Sequence, residues 1–264
     1  MSIAVEIAVQ DLAGLEIAAH AGADRVELCT DLERGGLTPP PDLVRAAAER
    51  AAALRASADA KPQFGVHCLI RSRAGDGDLR TTPGEFTYDE DEIATMARAA
   101  AETVEAGADG IVIGALTPSG LLDLPAIEQI RDAALTASAA QLRGLTLTCH
   151  RALDAMPDDD ARIDAVTALI RLGFHRALTS GGAPTAPEGI PGIARMVGAS
   201  EGIIDICAGG GIRPAHIAEI VHRTGATDIH LSARSAGQGR DRHPPSTTTD
   251  AAIATAAVDA AGAL

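Results

Sequence analysis

Short runs of aliphatic and β-branched residues alternate along the chain with longer alanine-rich segments whose apolar positions recur every three or four residues. The first pattern predicts strands, and the second predicts amphipathic helices. Eight runs fit the strand pattern, at 4–9, 25–29, 64–71, 110–116, 145–151, 176–180, 203–208 and 228–233. Between them, residues such as Ile93, Met96, Ala97, Ala100 and Val104 share one helical face. Strands alternating with helices predict a parallel sheet joined by crossover connections.

A weak internal repeat supports eight units. Gly22, Gly107, Gly173 and Gly225 each stand three residues before every second run, where a glycine ends a helix in the left-handed conformation. Recurrence at every second unit favours a closed (β/α)8 barrel over an open doubly wound sheet. The length of 264 residues suits one such barrel, so residues 1–264 are expected to form a single domain. Two connections are long. Residues 72–92 hold Phe86 and Tyr88 and have the composition of a lid-like loop, and 235–249 precedes a final helix at 250–261.

Composition narrows the partners. A net charge of −14, with no basic run, argues against nucleic acid and anionic membrane surfaces, leaving a metal ion or a small molecule. No basic leader and no apolar stretch of the ~20 residues that span a bilayer is present, so the expected location is cytoplasmic. Cys29, Cys68, Cys149 and Cys207 are far apart and form no CxxC pair, so free thiols are expected. With 2% aromatic residues, the core is expected to be built from Ala, Val, Ile and Leu, which suits the small aliphatic layers of a barrel.

Alternate side chains of a barrel strand point inward, and polar ones near its carboxyl end face the mouth. Glu6, Glu27 with Cys29, His67 with Arg71, Thr148 with His150, and His230 with Ser232 all take inward parity. Unpaired charges are costly inside an apolar barrel, so this set points to a ligand-binding mouth, or else to a salt-bridged plug of Glu6, Glu27, His67 and Arg71. Gly209, Gly210, Gly211 and Arg213 after the seventh run, and Ser232 and Arg234 after the eighth, form candidate anion-binding turns. Cys29 and His67 lie on neighbouring strands with the same parity, a candidate soft-metal pair, whereas Cys68 and Cys149 have the opposite parity.

Several segments together resemble the CutC family. They are Gly22 to Cys29 (GADRVELC), Gly35 to Pro39 (GGLTP), Arg71 and Arg73 with Phe86 and Tyr88, Gly114 to Thr117 (GALT), Thr148 to Asp154 (TCHRALD), Leu178 to Gly181 (LTSG) and Ala208 to Gly211 (AGGG). The resemblance implies a TIM barrel, cytosolic and often a homodimer, with a role in copper homeostasis and Cys29 as a candidate copper ligand. The chain departs from that pattern in having extra residues between Arg73 and Phe86, Ser72 where proline is common, and Cys149 in place of a phenylalanine.

Two functions follow as expectations, and the residues leave open whether the chain is an enzyme. In one, the barrel mouth binds Cu(I) through Cys29, helped by His67 or Cys207. In the other, Glu27 and His150 perform acid/base chemistry on a small anionic or sugar-like metabolite held by Arg71, Arg151 and the glycine-rich turns.

Overall fold

The computed structural model describes residues 3–75, 82–234 and 248–264. Eight parallel strands close into one barrel in chain order, with the last pairing the first. They are β1 (Ala4–Val9), β2 (Arg25–Leu28), β3 (Gly65–Leu69), β4 (Gly110–Ile113), β5 (Thr146–Cys149), β6 (Arg176–Thr179), β7 (Asp205–Gly209) and β8 (Asp228–Leu231). A helix follows each: α1 (Leu12–His20), α2 (Pro41–Ala56), α3 (Glu90–Glu105), α4 (Leu124–Ala140), α5 (Asp159–Arg171), α6 (Ile190–Ser200), α7 (Ile217–Thr224) and α8 (Ala251–Gly262). This is the (β/α)8 TIM-barrel architecture. Gly22, Gly107, Gly173 and Gly225 all take positive φ at the helix ends before the even strands, as the repeat predicts.

The strands start close to their expected positions, and all but β1 and β7 end earlier than expected. Cys29, Ile70, Arg71, His150 and Ser180 lie beyond the last paired residues and belong to the connections at the carboxyl-terminal mouth. Asp205, which shares the parity of Cys207, lies exposed at the opposite, amino-terminal end of β7. Helix α3 begins at Glu90, inside the expected 72–92 loop, because Asp89 and Glu92 cap each other's backbone N–H groups. Most of the second long connection, 235–249, lies outside the described residues. Among the described residues, no helix is long and apolar enough to cross a membrane.

The apolar core sits between sheet and helices. Val5, Ile7, Val26, Leu28, Val66, Ile111, Ile113 and Ile229 point outward from the strands into this layer, together with Cys68 and Cys149. Inside the barrel Cys29, Leu69 and Val112 form a small apolar cluster, and Ala8, Leu178 and Cys207 are buried there as well. The expected core of Ala, Val, Ile and Leu thus lies outside the sheet, while charged and polar side chains occupy much of the interior and must be paired to be tolerated.

Candidate active site

The pairing is built on Glu6 of β1, which is 1% exposed. Its Oε2 lies 2.6 Å from Arg176 Nη1 and 3.1 Å from Arg25 Nε, and its Oε1 lies 2.8 Å from His230 Nδ1. Asp228 takes the remaining ends of both guanidiniums, 3.4 Å from Arg176 Nη2 and in direct contact with Arg25 Nη2. Burial works against the Glu6 charge, but Arg176, the His230 hydrogen bond and Arg25 together hold its carboxyl well below the usual range. A salt-bridged plug therefore does fill the barrel, but its members differ from those expected. Glu6 is joined by Arg25, Arg176 and Asp228, whereas Glu27 and Arg71 stand above it.

His67 lies inside the plug, with Nδ1 3.7 Å from Glu6 Oε2 and no hydrogen-bond partner among the described residues. Burial lowers its pKa to about 3, so the ring is neutral. Gly110 makes room for it, because a Cβ there would meet the ring at 2.7 Å.

Above the plug, the carboxyl ends of the strands enclose a cavity of about 390 Å³, within the usual range for small-molecule sites. Glu27 reaches it from β2, and its Oε2 lies 3.6 Å from His230 Nε2. His230 thus bridges the cavity carboxyl to Glu6 in the plug. Burial, with some repulsion from Glu6, raises the Glu27 pKa even though His230 opposes the shift. Burial also opposes the charge of His230, but Glu27 and Glu6 on either side outweigh it and raise the pKa of the ring.

His150 follows β5 and lines the same cavity. Its Nδ1 accepts a hydrogen bond from the Ala152 N–H at 3.1 Å, which leaves the proton of the neutral ring on Nε2. That Nε2 is buried and has no partner among the described residues. Burial, then the nearby Arg71 charge, lowers the pKa to about 3, so the ring donates as neutral imidazole. Phe86 from the lid-like loop packs on it at 5.1 Å between ring centroids.

Gly114, just past β4, is required by this packing. A Cβ there would lie 2.6 Å from His150 Cε1 and 2.7 Å from Nδ1. Gly114→Ala is expected to displace the ring and destabilise the fold by about 1–3 kcal/mol, measurable by urea unfolding.

The same histidine predicts a pH dependence. Unfolding releases it from a pKa of about 3 to its ordinary 6.5, so the unfolded chain binds an extra proton between those values. Stability therefore falls as pH drops below 6.5, by up to about 1.4 kcal/mol per pH unit for this group. His67 acts in the same direction and His230 in the opposite one. Urea unfolding of His150→Gln between pH 7 and pH 4.5 should show a slope shallower by about that amount; an unchanged slope would mean that His150 is not buried neutral.

Arg71, 5% exposed, gives Nη1 to the Gly35 carbonyl at 3.1 Å and Nη2 to Glu85 at 3.2 Å, and stacks 5.0 Å from the Phe86 centroid. Its buried Nε has no partner among the described residues. Arg151 is braced by Asp154 at 2.7 Å and Ser180 at 3.1 Å, and Asp154 in turn accepts from the Ser180 and Gly182 N–H groups.

Gly210, Gly211, Arg213, Ser232 and Arg234 line the opposite side of the mouth. Gly209 is instead at the end of β7, where a Cβ would strike Leu178 and His230. Between Ser232 and Arg234, Ala233 holds a φ of 40°, a left-handed geometry that costs a residue with a Cβ about 1–2 kcal/mol. Its carbonyl accepts the Asp250 N–H at 2.8 Å, tying the turn to the start of α8.

Cys29 does not line this cavity. It is fully buried against Leu69 and Val112, with Sγ 3.8 Å from the Val9 carbonyl, and burial pushes its thiol well above the ordinary range. His67 pairs in register with Glu27 and lies one layer deeper than Cys29. Cys207 faces Arg176, whose Nη2 is 3.2 Å from Sγ. Among the described residues, no three His, Cys, Asp or Glu side chains converge as a metal site. Two neutral thiols on different strands, one against a guanidinium, do not make the pair of converging soft donors that Cu(I) favours.

Sequence parity located Glu27, Arg71 and His150, and the family resemblance brought in Arg151, but both passed over Arg25, Arg176 and Asp228. These share the parity of Glu27, Leu178 and His230, and extending the alternation to the strand starts would have found them. Glu85 ends a single 3-10 turn (Pro83–Glu85) in the connection between β3 and α3 and carries no such signal.

The CutC family model matches residues 3–235. A CutC family protein of Rhizobium meliloti is 38% identical over 239 residues, spanning 90% of this chain and 84% of the relative. One from Aliivibrio fischeri is 35% identical over 235 residues, spanning 89% and 83%. A CutC crystal structure from Streptococcus agalactiae, named provisionally for copper homeostasis, superposes with a TM-score of 0.74 at 28% identity, covering 87% of this chain and 98% of that one. N-(5'-phosphoribosyl)anthranilate isomerase of Pyrococcus furiosus, at 13% identity and a TM-score of 0.58 over 99% of this chain and 100% of its own, shares the fold alone.

Proposed function

This chain belongs to the CutC family, and from the residues that face its cavity we propose an enzyme that moves a proton on a small anionic metabolite at the mouth of the barrel. One observation carries the reading. The neutral ring of His150 holds an unpartnered Nε2 in the same cavity as the carboxyl of Glu27. A carboxylate base and a neutral imidazole donor are the two groups needed to take a proton from a carbon beside a carbonyl.

In this scheme Glu27 removes the carbon-bound proton, and the electron pair moves onto the carbonyl oxygen. His150 Nε2–H and Arg71 Nε–H donate to the resulting oxyanion. Return of the proton to the same or the adjacent carbon completes a racemisation or an isomerisation, with no external oxidant or reductant. Arg151, fixed by Asp154 and Ser180, and the turns after β7 and β8 hold the charged remainder of the substrate. Every group the reaction uses comes from one chain.

The copper reading draws on the provisional name of the Streptococcus agalactiae relative and on Cys29. It is the weaker of the two, because the Cys29 thiol is enclosed by Leu69 and Val112 and burial holds it protonated.

The test is proton NMR in D2O of wild-type protein with a panel of short phosphorylated and carboxylated hydroxy-carbonyl compounds. Loss of a carbon-bound proton signal at a rate proportional to enzyme is expected for at least one of them. No exchange across the panel would contradict the reading.

A further inference from the structure

The barrel order places the unpartnered donors at opposite sides of one mouth. Arg71 follows β3 and His150 follows β5, and Phe86 touches both while its carbonyl accepts the Leu116 N–H at 2.8 Å beyond β4. This group is therefore centred on β4. In a closed barrel of eight strands the position facing β4 is β8, and there the loop after the strand carries Arg234, whose Nη1 is buried without a partner among the described residues. Exposed Arg213 adds a second guanidinium on that side. Glu27 rises from β2, midway between the two sides.

We propose that the ligand of this cavity is two-ended, a short phosphate monoester that also carries a carboxylate or carbonyl, lying across the mouth from β8 to β4. The assignment of ends follows from donor geometry. Arg234 keeps Nη1 without a partner among the described residues, exposed Arg213 also lines the cavity, and forked guanidiniums of this kind suit a phosphate. On the β4 side, Arg71 has already given Nη1 to Gly35 and Nη2 to Glu85. What remains there is one N–H from Arg71 and one from His150, beside the flat face of Phe86. Two single donors fit the oxygens of a planar carboxylate or carbonyl. The carbon between the two ends then passes Glu27, which is where the acid/base reading needs it, and the inference rests on that reading for the role of His150.

Titration calorimetry of the full chain with 2-phosphoglycolate, inorganic phosphate and glycolate tests the span. Phosphoglycolate should bind about 100-fold more tightly than either half, since joining two subsite ligands makes the second contact intramolecular. Phosphate and glycolate should also occupy the protein together. Arg234→Met should weaken phosphate and phosphoglycolate by about tenfold or more while sparing glycolate, and Arg71→Met should spare phosphate and weaken the other two. Phosphoglycolate no tighter than phosphate, mutual exclusion of the two halves, or no saturable binding would each overturn the proposal. The wild-type comparison of the three probes decides the matter even if a variant fails to fold. Tight phosphoglycolate binding without proton exchange on any tested compound would instead count against the acid/base reading and leave the span intact.

Discussion

Glu27→Gln is expected to lower the rate of carbon-bound proton exchange by about 10²–10⁴-fold while leaving phosphoglycolate affinity within about threefold of wild type. Glutamine keeps the volume and an oxygen facing His230 but cannot take up a proton. Burial has already raised the Glu27 pKa, so its carboxylate is a stronger base than a solvated one. Exchange rates should therefore rise with pH through a carboxylate transition displaced upward from 4.5, and that transition should vanish in the variant. NMR exchange rates and calorimetry on the same preparation separate the two effects. Equal loss of binding and exchange would make Glu27 a binding residue instead.

The largest expected effect on stability belongs to Glu6→Gln. Glu6 is the shared partner of Arg176, Arg25 and His230, and Asp228 alone cannot compensate both guanidiniums. Removing one side of a buried ion network typically costs about 3–5 kcal/mol, because the remaining charges stay buried without their partner. The urea midpoint at pH 7 should fall accordingly. The sign with pH also follows. The folded-state pKa of Glu6 is depressed, so its stabilisation is complete above the unfolded value near 4.5 and is lost as pH falls toward the folded one. The gap between wild type and Glu6→Gln should narrow in that acid range. A loss below about 1 kcal/mol would mean that the plug is exposed to water and worth no more than a surface pair.

The barrel was legible because its signals are local. Aliphatic runs, a helical face such as Ile93, Met96 and Ala100, and glycines at every second helix end each read correctly without knowledge of distant residues. Glu27, Arg71 and His150 were legible by parity at strand ends, and Arg151 by its place in the Thr148 to Asp154 motif. The fate of Cys29 was not, because its parity is inward like that of Glu27. Whether an inward side chain meets solvent or is sealed depends on neighbours from other strands, here Leu69 of β3 and Val112 of β4. Low aromatic content rightly indicated a core of Ala, Val, Ile and Leu, and that core is the layer between sheet and helices, while Gly110 leaves inner space to His67. Glu85, which anchors Arg71 from a loop, is a tertiary contact with no periodic signature.

The account rests on a ligand lying across the mouth beside Glu27, and a crystal structure of the complex with 2-phosphoglycolate tests this most directly. It should show the phosphate against Arg234, the carboxylate within hydrogen-bond distance of His150 Nε2 and Arg71 Nε, and the intervening carbon facing the Glu27 carboxyl. Density for the ligand outside the cavity, or within it but leaving His150 Nε2 and Arg71 Nε without a partner, would contradict the account.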